Sequence, residues 1–219
     1  MLKLTGSLFD RDAEDIRAVA KVLADVLKEL CGLTVVTGGG KAARHYIDIA
    51  TRLGADQSTL DEIGTEASRI NAKLLIITLG SLAYPYPPDT LEEAVKAVST
   101  GKVVVAGGFQ PGQSTNAVAS LLAERLSASL FINATDVEGV YDKDPKRFRD
   151  AKLLKKVSVA ELRRILEGSS TYAGTYELMD PLALKIIERS KIPTRIIKCS
   201  PECIRGALVG RDIGTLIVG

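Results

Sequence analysis

The chain has no tryptophan, a single histidine (His45), two methionines and only 5% aromatic residues, so aliphatic side chains must build its core. Three cysteines, Cys31, Cys199 and Cys203, are an odd number without paired short spacings. That excludes a disulfide framework and fits a reducing compartment. Cys199 and Cys203 have no histidine near them in sequence, so no zinc site is expected. No apolar run approaches the roughly 20 residues that a bilayer-crossing helix needs. The first residues enter a strand-like pattern at once, without a basic segment and apolar signal core, which points to a cytoplasmic protein. The net charge of +2, from 29 basic and 27 acidic residues, leaves no excess to attract nucleic acid or a membrane surface. Both G-x-x-x-x-G-K-[ST] and G-x-G-x-x-G are missing, and with them the P-loop and dinucleotide-binding classes.

What the sequence does contain is a repeated unit of apolar strand, glycine-rich turn and helix. Val103 to Ala106 closes on Gly107 and Gly108, and after Phe109, Gln110, Pro111, Gly112 and Gln113 the residues Ser114 and Thr115 open a helix. Glycines let the backbone approach a ligand, and a helix start with free N–H groups and two hydroxyls is suited to phosphate. Leu33 to Thr37 ends in Gly38, Gly39 and Gly40 before a helix over 42–53, with Arg44 in its first turn. Met1 to Thr5 ends in Gly6 and Ser7, with Lys3 between two leucines. A lysine there is costly unless its ammonium reaches a cleft. Asp10 or Asp12 is expected to cap a helix running to Gly32.

Ser58 to Asp61 has capping-box spacing, and Ile63, Ala67, Ile70, Leu74 and Ile77 recur at helical intervals. The apolar Leu75 to Thr78 also suits a strand; the spacing favours one helix to about Leu79. Ser129 to Ala134 reads as a buried strand that runs into a polar loop with Thr135, Tyr141 and Asp144, suited to a purine and ribose. Lys152, Lys155 and Lys156 read as a solvated face, and Ser158 starts a helix ending at Gly168. Pro181 opens a helix carrying Lys185, and Thr194 to Lys198 and Thr215 to Val218 close the chain as strands. Strands alternating with helices imply an α/β protein, a three-layer α/β/α sandwich with a largely parallel central sheet. Ligands bind outside the carboxyl ends of such strands, where the glycine loops gather. Residues 1–219 contain no linker long enough to separate independent domains. His45 has no partner that would give it a role.

Five blocks in this order resemble the amino-acid-kinase superfold, and within it the archaeal-type uridylate kinases. They are Lys3 to Ser7; Thr37 to Gly40 with Arg44; Leu60 to Gly64 with Ala67, Arg69 and Asn71; Gly107 to Thr115; and Asn133 to Tyr141 with Asp144 and Pro145. The resemblance implies transfer of a phosphoryl group from ATP to UMP, giving ADP and UDP for pyrimidine nucleotide biosynthesis, with Mg2+ and a homohexameric assembly. It further implies that Gly6, Ser7, Gly40, Arg44, Thr135, Tyr141 and Asp144 hold ATP. Gly39, Asp61 and the loop Phe109, Gln110, Pro111, Gly112, Gln113, Ser114 and Thr115 would hold UMP. Lys3 would stabilise the transferring group, with no general base and no dedicated metal ligands. Relatives in the superfold often carry an aspartate where this chain has Asn116, and a second lysine on the ATP phosphates has no clear counterpart beyond Lys185.

Overall fold

Alternation at the start of the chain puts Leu2 and Leu4 on one face of strand β1 (Leu2–Leu4) and Lys3 on the other. The computed structural model describes residues 1–30, 32–143, 148–169 and 178–219. In it β1 is a central strand, paired in parallel with β2 (Thr34–Thr37) and with β4 (Phe131–Thr135). Among the described residues β3 (Val104–Ala106), β5 (Lys156–Ser158), β6 (Thr194–Lys198) and β7 (Thr215–Val218) complete a seven-stranded sheet, in the order β3-β2-β1-β4-β6-β7-β5.

Five neighbouring strands run parallel. β7 is antiparallel to β6, and β5 is parallel to β7, so the far edge of the sheet is reversed. The largely parallel sandwich read from the sequence is what forms. Strand β5 replaces the expected solvated face at Lys156. Only Val157 is buried in it, and three residues with one apolar position carry no usable period.

The two faces carry separate cores. Leu2, Leu4, Val35, Val105, Ile132 and Ile197 pack against α1 (Ala13–Val26), α3 (Gln57–Leu79) and α8 (Pro201–Leu208). Val36, Ala106, Phe131, Ile196 and Ile217 face α4 (Leu91–Val98), α5 (Thr115–Arg125), α6 (Val159–Ser169) and α7 (Pro181–Ser190). The remaining helix, α2 (Gly40–Arg52), lies on α3.

Several helix boundaries depart from the sequence reading. Helix α1 is capped by Asp12, whose carboxylate accepts from the Glu14 amide at 3.1 Å, and it ends at Val26 well before Gly32. Asp10 instead turns to α2, accepting from the Lys41 amide at 2.8 and 3.0 Å. Helix α3 starts one residue before Ser58, because the Asp56 carboxylate takes the Thr59 amide at 2.8 Å. Once formed, α3 does run unbroken to Leu79, with no strand at Leu75 to Thr78.

The apolar stripe read on α3 is largely the wrong face. The helix buries Leu60, Ala67, Ala72, Leu75, Ile76 and Leu79, whereas Ile70, Leu74 and Ile77 are exposed, Ile77 to 75%. A helix apolar on two sides offers no single stripe to periodicity.

Candidate active site

The loops that leave β1, β2, β3 and β4 converge at the carboxyl edge of the sheet. The first two are in close contact. A Cβ built on Gly6 would lie 2.0 Å from the Gly40 backbone nitrogen, and Gly40 itself has φ of +69°. Both positions therefore require glycine, one for space and one for backbone conformation. The amide of Lys41 at the start of α2 already has the Asp10 carboxylate as its partner. The same carboxylate lies 4.0 Å from the guanidinium of Arg44, which is otherwise solvent-exposed.

Helix α3 ties the second and third loops together. The Asn71 side-chain amide donates to the Gly38 carbonyl at 2.7 Å. Ser68 Oγ accepts from the Gly108 amide at 2.7 Å, and the Ser68 carbonyl accepts from the Thr37 hydroxyl at 2.8 Å. Two turns before Ser68, Asp61 accepts from the Gly112 amide at 2.8 Å.

The start of α3 and the loop before α5 border a cleft of about 360 Å³ lined by Ile47, Leu60, Asp61, Gly64, Thr65, Gly108 and Gly112 to Thr115. Asp61, Gly112, Gln113, Ser114 and Thr115 are thus brought together as the sequence suggested. Gly39, Phe109, Gln110 and Pro111 are not among the lining residues. Gly39 packs on α2 and α3, where an added Cβ would come 2.6 Å from Ala43 Cβ and 3.3 Å from the Gly64 carbonyl. Phe109 is half-buried against the α5 core, and Gln110 and Pro111 are exposed. Ser114 caps α5 through the Ala117 amide at 3.0 Å and donates its hydroxyl to Asp180.

Lys3 lies half-buried on β1, the strand that leads into the first of these loops. Its side chain makes no hydrogen bond or ion pair among the described residues. Burial pulls its ammonium down to about 8, and the charges of the Asp136 and Asp180 carboxylates partly offset that pull. Ser7 donates to Asp136, and Arg11 reaches from the same segment to the Cys199 carbonyl at 3.3 Å and to Asp136 at 3.8 Å. Burial also pushes the Cys199 thiol up to about 11, so it stays protonated at neutral pH. No group of three or more metal-ligating side chains occurs among the described residues.

The remaining candidates are spread along the β4 loop. The Thr135 hydroxyl is spent locally, donating toward the Val137 and Ile197 carbonyls at 3.1 and 3.2 Å. Tyr141 forms a β-bridge with Leu153, and burial raises its phenol, helped by Glu138. Asp144 lies outside the described residues. Lys185 is exposed on α7, and His45 is exposed beside the Tyr46 ring.

Sequence reasoning missed Asp136, Asp180 and Arg11. Asp180 carried a signal, since an aspartate directly before a proline at the first helical position is a cap. It accepts from the Leu182 and Ala183 amides, both at 3.0 Å. Its second oxygen, on Ser114, joins α7 to α5 at the edge of the cleft.

Comparison with known proteins agrees with this geometry. Residues 1–198 match the model of the amino acid kinase family. A protein named uridylate kinase from Sulfolobus acidocaldarius is 48% identical over 90% of this chain and 87% of its own length. One of the same name from Hyperthermus butylicus is 48% identical over the whole of this chain and 97% of its own. The crystal structure of uridylate kinase from Archaeoglobus fulgidus superposes with a TM-score of 0.90 at 42% identity, covering 99% of this chain and 98% of that one. On the match over residues 1–198 and these relatives, the chain belongs to the amino acid kinase family.

Proposed function

We propose that this protein is a UMP kinase, transferring the γ-phosphoryl group of ATP to UMP to give UDP and ADP in pyrimidine nucleotide biosynthesis. The observation that carries the reading is Lys3, a half-buried ammonium with no hydrogen bond or ion pair among the described residues, on the strand that leads into the first of two interlocked glycine loops. The naming of the relatives as uridylate kinases supplies the substrate.

In this reading UMP occupies the cleft. Asp61 orders the acceptor loop through the Gly112 amide, and Gly112 to Thr115 border the nucleotide, with Gly39 and Phe109 to Pro111 set back from the cleft. ATP lies over Gly6, Ser7, Gly40 and Arg44, with its base toward Thr135, Tyr141 and Asp144. The acceptor needs no general base, because a phosphate monoester whose second ionisation is near pH 6 is largely dianionic at pH 7. The work is electrostatic: two anions are held in line against their repulsion while Lys3 and backbone N–H groups face the charge on the transferring group.

Mg2+ suits this arrangement as a cation bound mainly to the nucleotide's phosphates. Asp136 and Asp180 offer the hard oxygen donors it takes, in too small a number for a cage made of protein alone. Its contribution is to neutralise phosphate charge.

The exposed face of α2 and α3 supports self-association. Tyr46, Ile49, Leu53, Ile70, Leu74 and Ile77 leave large apolar side chains in water, Leu53 to 82%. A homohexamer would cover such surfaces. No helix among the described residues is long and apolar enough to cross a membrane, and the balanced charge with free Cys199 and Cys203 supports a cytoplasmic protein without nucleic-acid partners. ADP release measured side by side with UMP, CMP and acetylglutamate tests the reading. Turnover with UMP is expected, and its absence would overturn the proposal.

A further inference from the structure

Asparagine is a poor helix former and a costly group to bury, yet Asn71 sits in the middle of α3, 6% exposed, in line with the buried Ala67 and Leu75. Its amide nitrogen donates to the Gly38 carbonyl at 2.7 Å. That carbonyl belongs to the first of three successive glycines, a stretch in which peptide planes turn at little steric cost. The entry is fixed, since the Gly38 amide donates to the Leu4 carbonyl at 3.0 Å, and the exit is held by the Asp10 carboxylate on the Lys41 amide. Between them, Asn71 makes the only side-chain hydrogen bond to the three glycines among the described residues. The direction of that bond decides which group the loop shows to a ligand. Gly39 lies level with Gly64 and Ser68, since a Cβ built on it would come 3.3 Å from the Gly64 carbonyl and 3.7 Å from the Ser68 nitrogen. The Gly38 carbonyl reaches a turn further along α3, to Asn71, away from the helix end that borders the cleft. The peptide is trans, so its N–H points opposite to its carbonyl. The Gly39 N–H is therefore turned to the cleft end of α3, and it has no hydrogen-bond partner among the described residues.

We propose that Asn71 is a positioning residue for phosphoryl transfer: by holding the Gly38 carbonyl back, it keeps the Gly39 amide, and not a carbonyl oxygen, turned to the phosphate groups. The inference rests on the kinase reading given above. A reversed peptide would turn a dipole of about 3.5 D around beside bound anions, replacing attraction by repulsion. Glycine makes that reversal sterically easy, so a loop that must approach phosphates closely needs a constraint from outside itself. Helix α3 is placed to supply it, because Ser68 and Asp61 on the same helix hold the Gly108 and Gly112 amides of the third loop. The second and third loops thus take their alignment from one rigid element.

The test compares kcat at saturating ATP and UMP for the wild type, N71L, N71D and A72G, with calorimetric unfolding of each. Leucine keeps the branched shape without a donor, and A72G loosens α3 inside the apolar core. N71L should lower kcat about tenfold or more, whereas A72G should lower Tm and keep kcat within about twofold. N71D is the sharper probe. Its ionised carboxylate cannot donate to the Gly38 carbonyl and instead accepts from the Gly39 N–H of the reversed peptide, so kcat should fall about a hundredfold. Protonation makes the carboxyl a donor again and restores the wild-type plane. Burial, with Glu62 and Glu66 lining the same groove as Asn71, raises the pH at which this happens. The ratio of N71D to wild-type kcat should therefore rise about tenfold between about pH 8 and about pH 5.5, and a merely structural asparagine would leave it flat. ADP binding, measured by titration calorimetry without turnover, should weaken in N71D at the higher pH and recover at the lower. Folded N71L with wild-type kcat, or a flat ratio for folded N71D, would overturn the proposal. A wild type that does not turn over UMP, with ADP binding that still follows Asn71 in this way, would instead overturn the substrate reading and support the loop assignment.

Discussion

Ser68→Ala should weaken the acceptor loop and the fold together, and both effects can be sized from the contacts. The hydroxyl accepts from the buried Gly108 amide at 2.7 Å and donates to the Thr65 carbonyl, also at 2.7 Å. Alanine leaves the Gly108 N–H without an acceptor where water has little access. The Thr65 carbonyl keeps its place in the helix, so the main penalty is one unsatisfied buried donor, about 1 to 3 kcal/mol. For a chain of this length each kcal/mol moves the unfolding midpoint by roughly 2 to 4 °C. A fall in Tm of about 2 to 12 °C follows. The Thr37 hydroxyl still holds the Ser68 carbonyl, so the second glycine loop should stay in place. KM for UMP should therefore rise more than KM for ATP. Scanning calorimetry with steady-state kinetics on the wild type and S68A measures both. An unchanged Tm with unchanged KM for UMP would refute the idea that α3 holds the acceptor loop through this hydroxyl.

Gly6→Ala should abolish activity and lower Tm, since its Cβ would fall 2.0 Å from the Gly40 nitrogen, and a cleanly folded, active G6A would contradict the loop contact. Lys3→Ala should lower kcat far more than it weakens UMP binding; a loss of binding at unchanged kcat would remove Lys3 from the chemical step. Lys3 also gives stability a pH dependence with a definite sign. Its folded-state value of about 8 lies below the ordinary 10.5, so between these pH values the unfolded chain binds more protons. From this group alone, stability to unfolding should rise across that window by up to about 3 kcal/mol, while activity falls. Chemical denaturation of the wild type at pH 8 and pH 10.5, set against K3M as the reference lacking the group, reads that difference. Asp180→Ala should remove the cap of α7, costing about 1 kcal/mol, and release Ser114, which urea titration and KM for UMP would register.

Much of this architecture was legible because the signals are local. Alternating leucines around Lys3, β-branched runs ending in glycine, and hydroxyls before aliphatic helices each depend on a few adjacent residues. What the sequence concealed is pairwise. Asp10 and Asp12 are equivalent cap candidates until the fold brings α2 beside the first loop, and only then does Asp10 find the Lys41 amide. The exposed stripe of α3 looks like a core stripe, because periodicity reports that a face is apolar and not what covers it. The reversal of β7 depends on how the chain returns after α8, which no residue in the strand announces. Asp136, Asp180 and Arg11 were hidden for the same reason: their partners across the fold lie 66 to 188 residues away, from Asp180 with Ser114 to Arg11 with the Cys199 carbonyl.

The pairing of Leu2 with Ile132 has a temporal consequence. A strand from the first few residues is a central strand of the sheet, but one of its two neighbours is made some 130 residues later. Lys3 acquires the carboxylate of Asp180 and the thiol of Cys199 later still. On a ribosome adding about 5 to 20 residues per second, some ten to forty seconds separate synthesis of Lys3 from synthesis of Cys199. During that interval the β1 segment has only β2 beside it, with its other edge unpaired and its lysine still in water. Burial of the ammonium is thus a late event in the life of the nascent chain, and chains interrupted before β4 contain every residue of the first two glycine loops without the surroundings that give Lys3 its altered proton affinity.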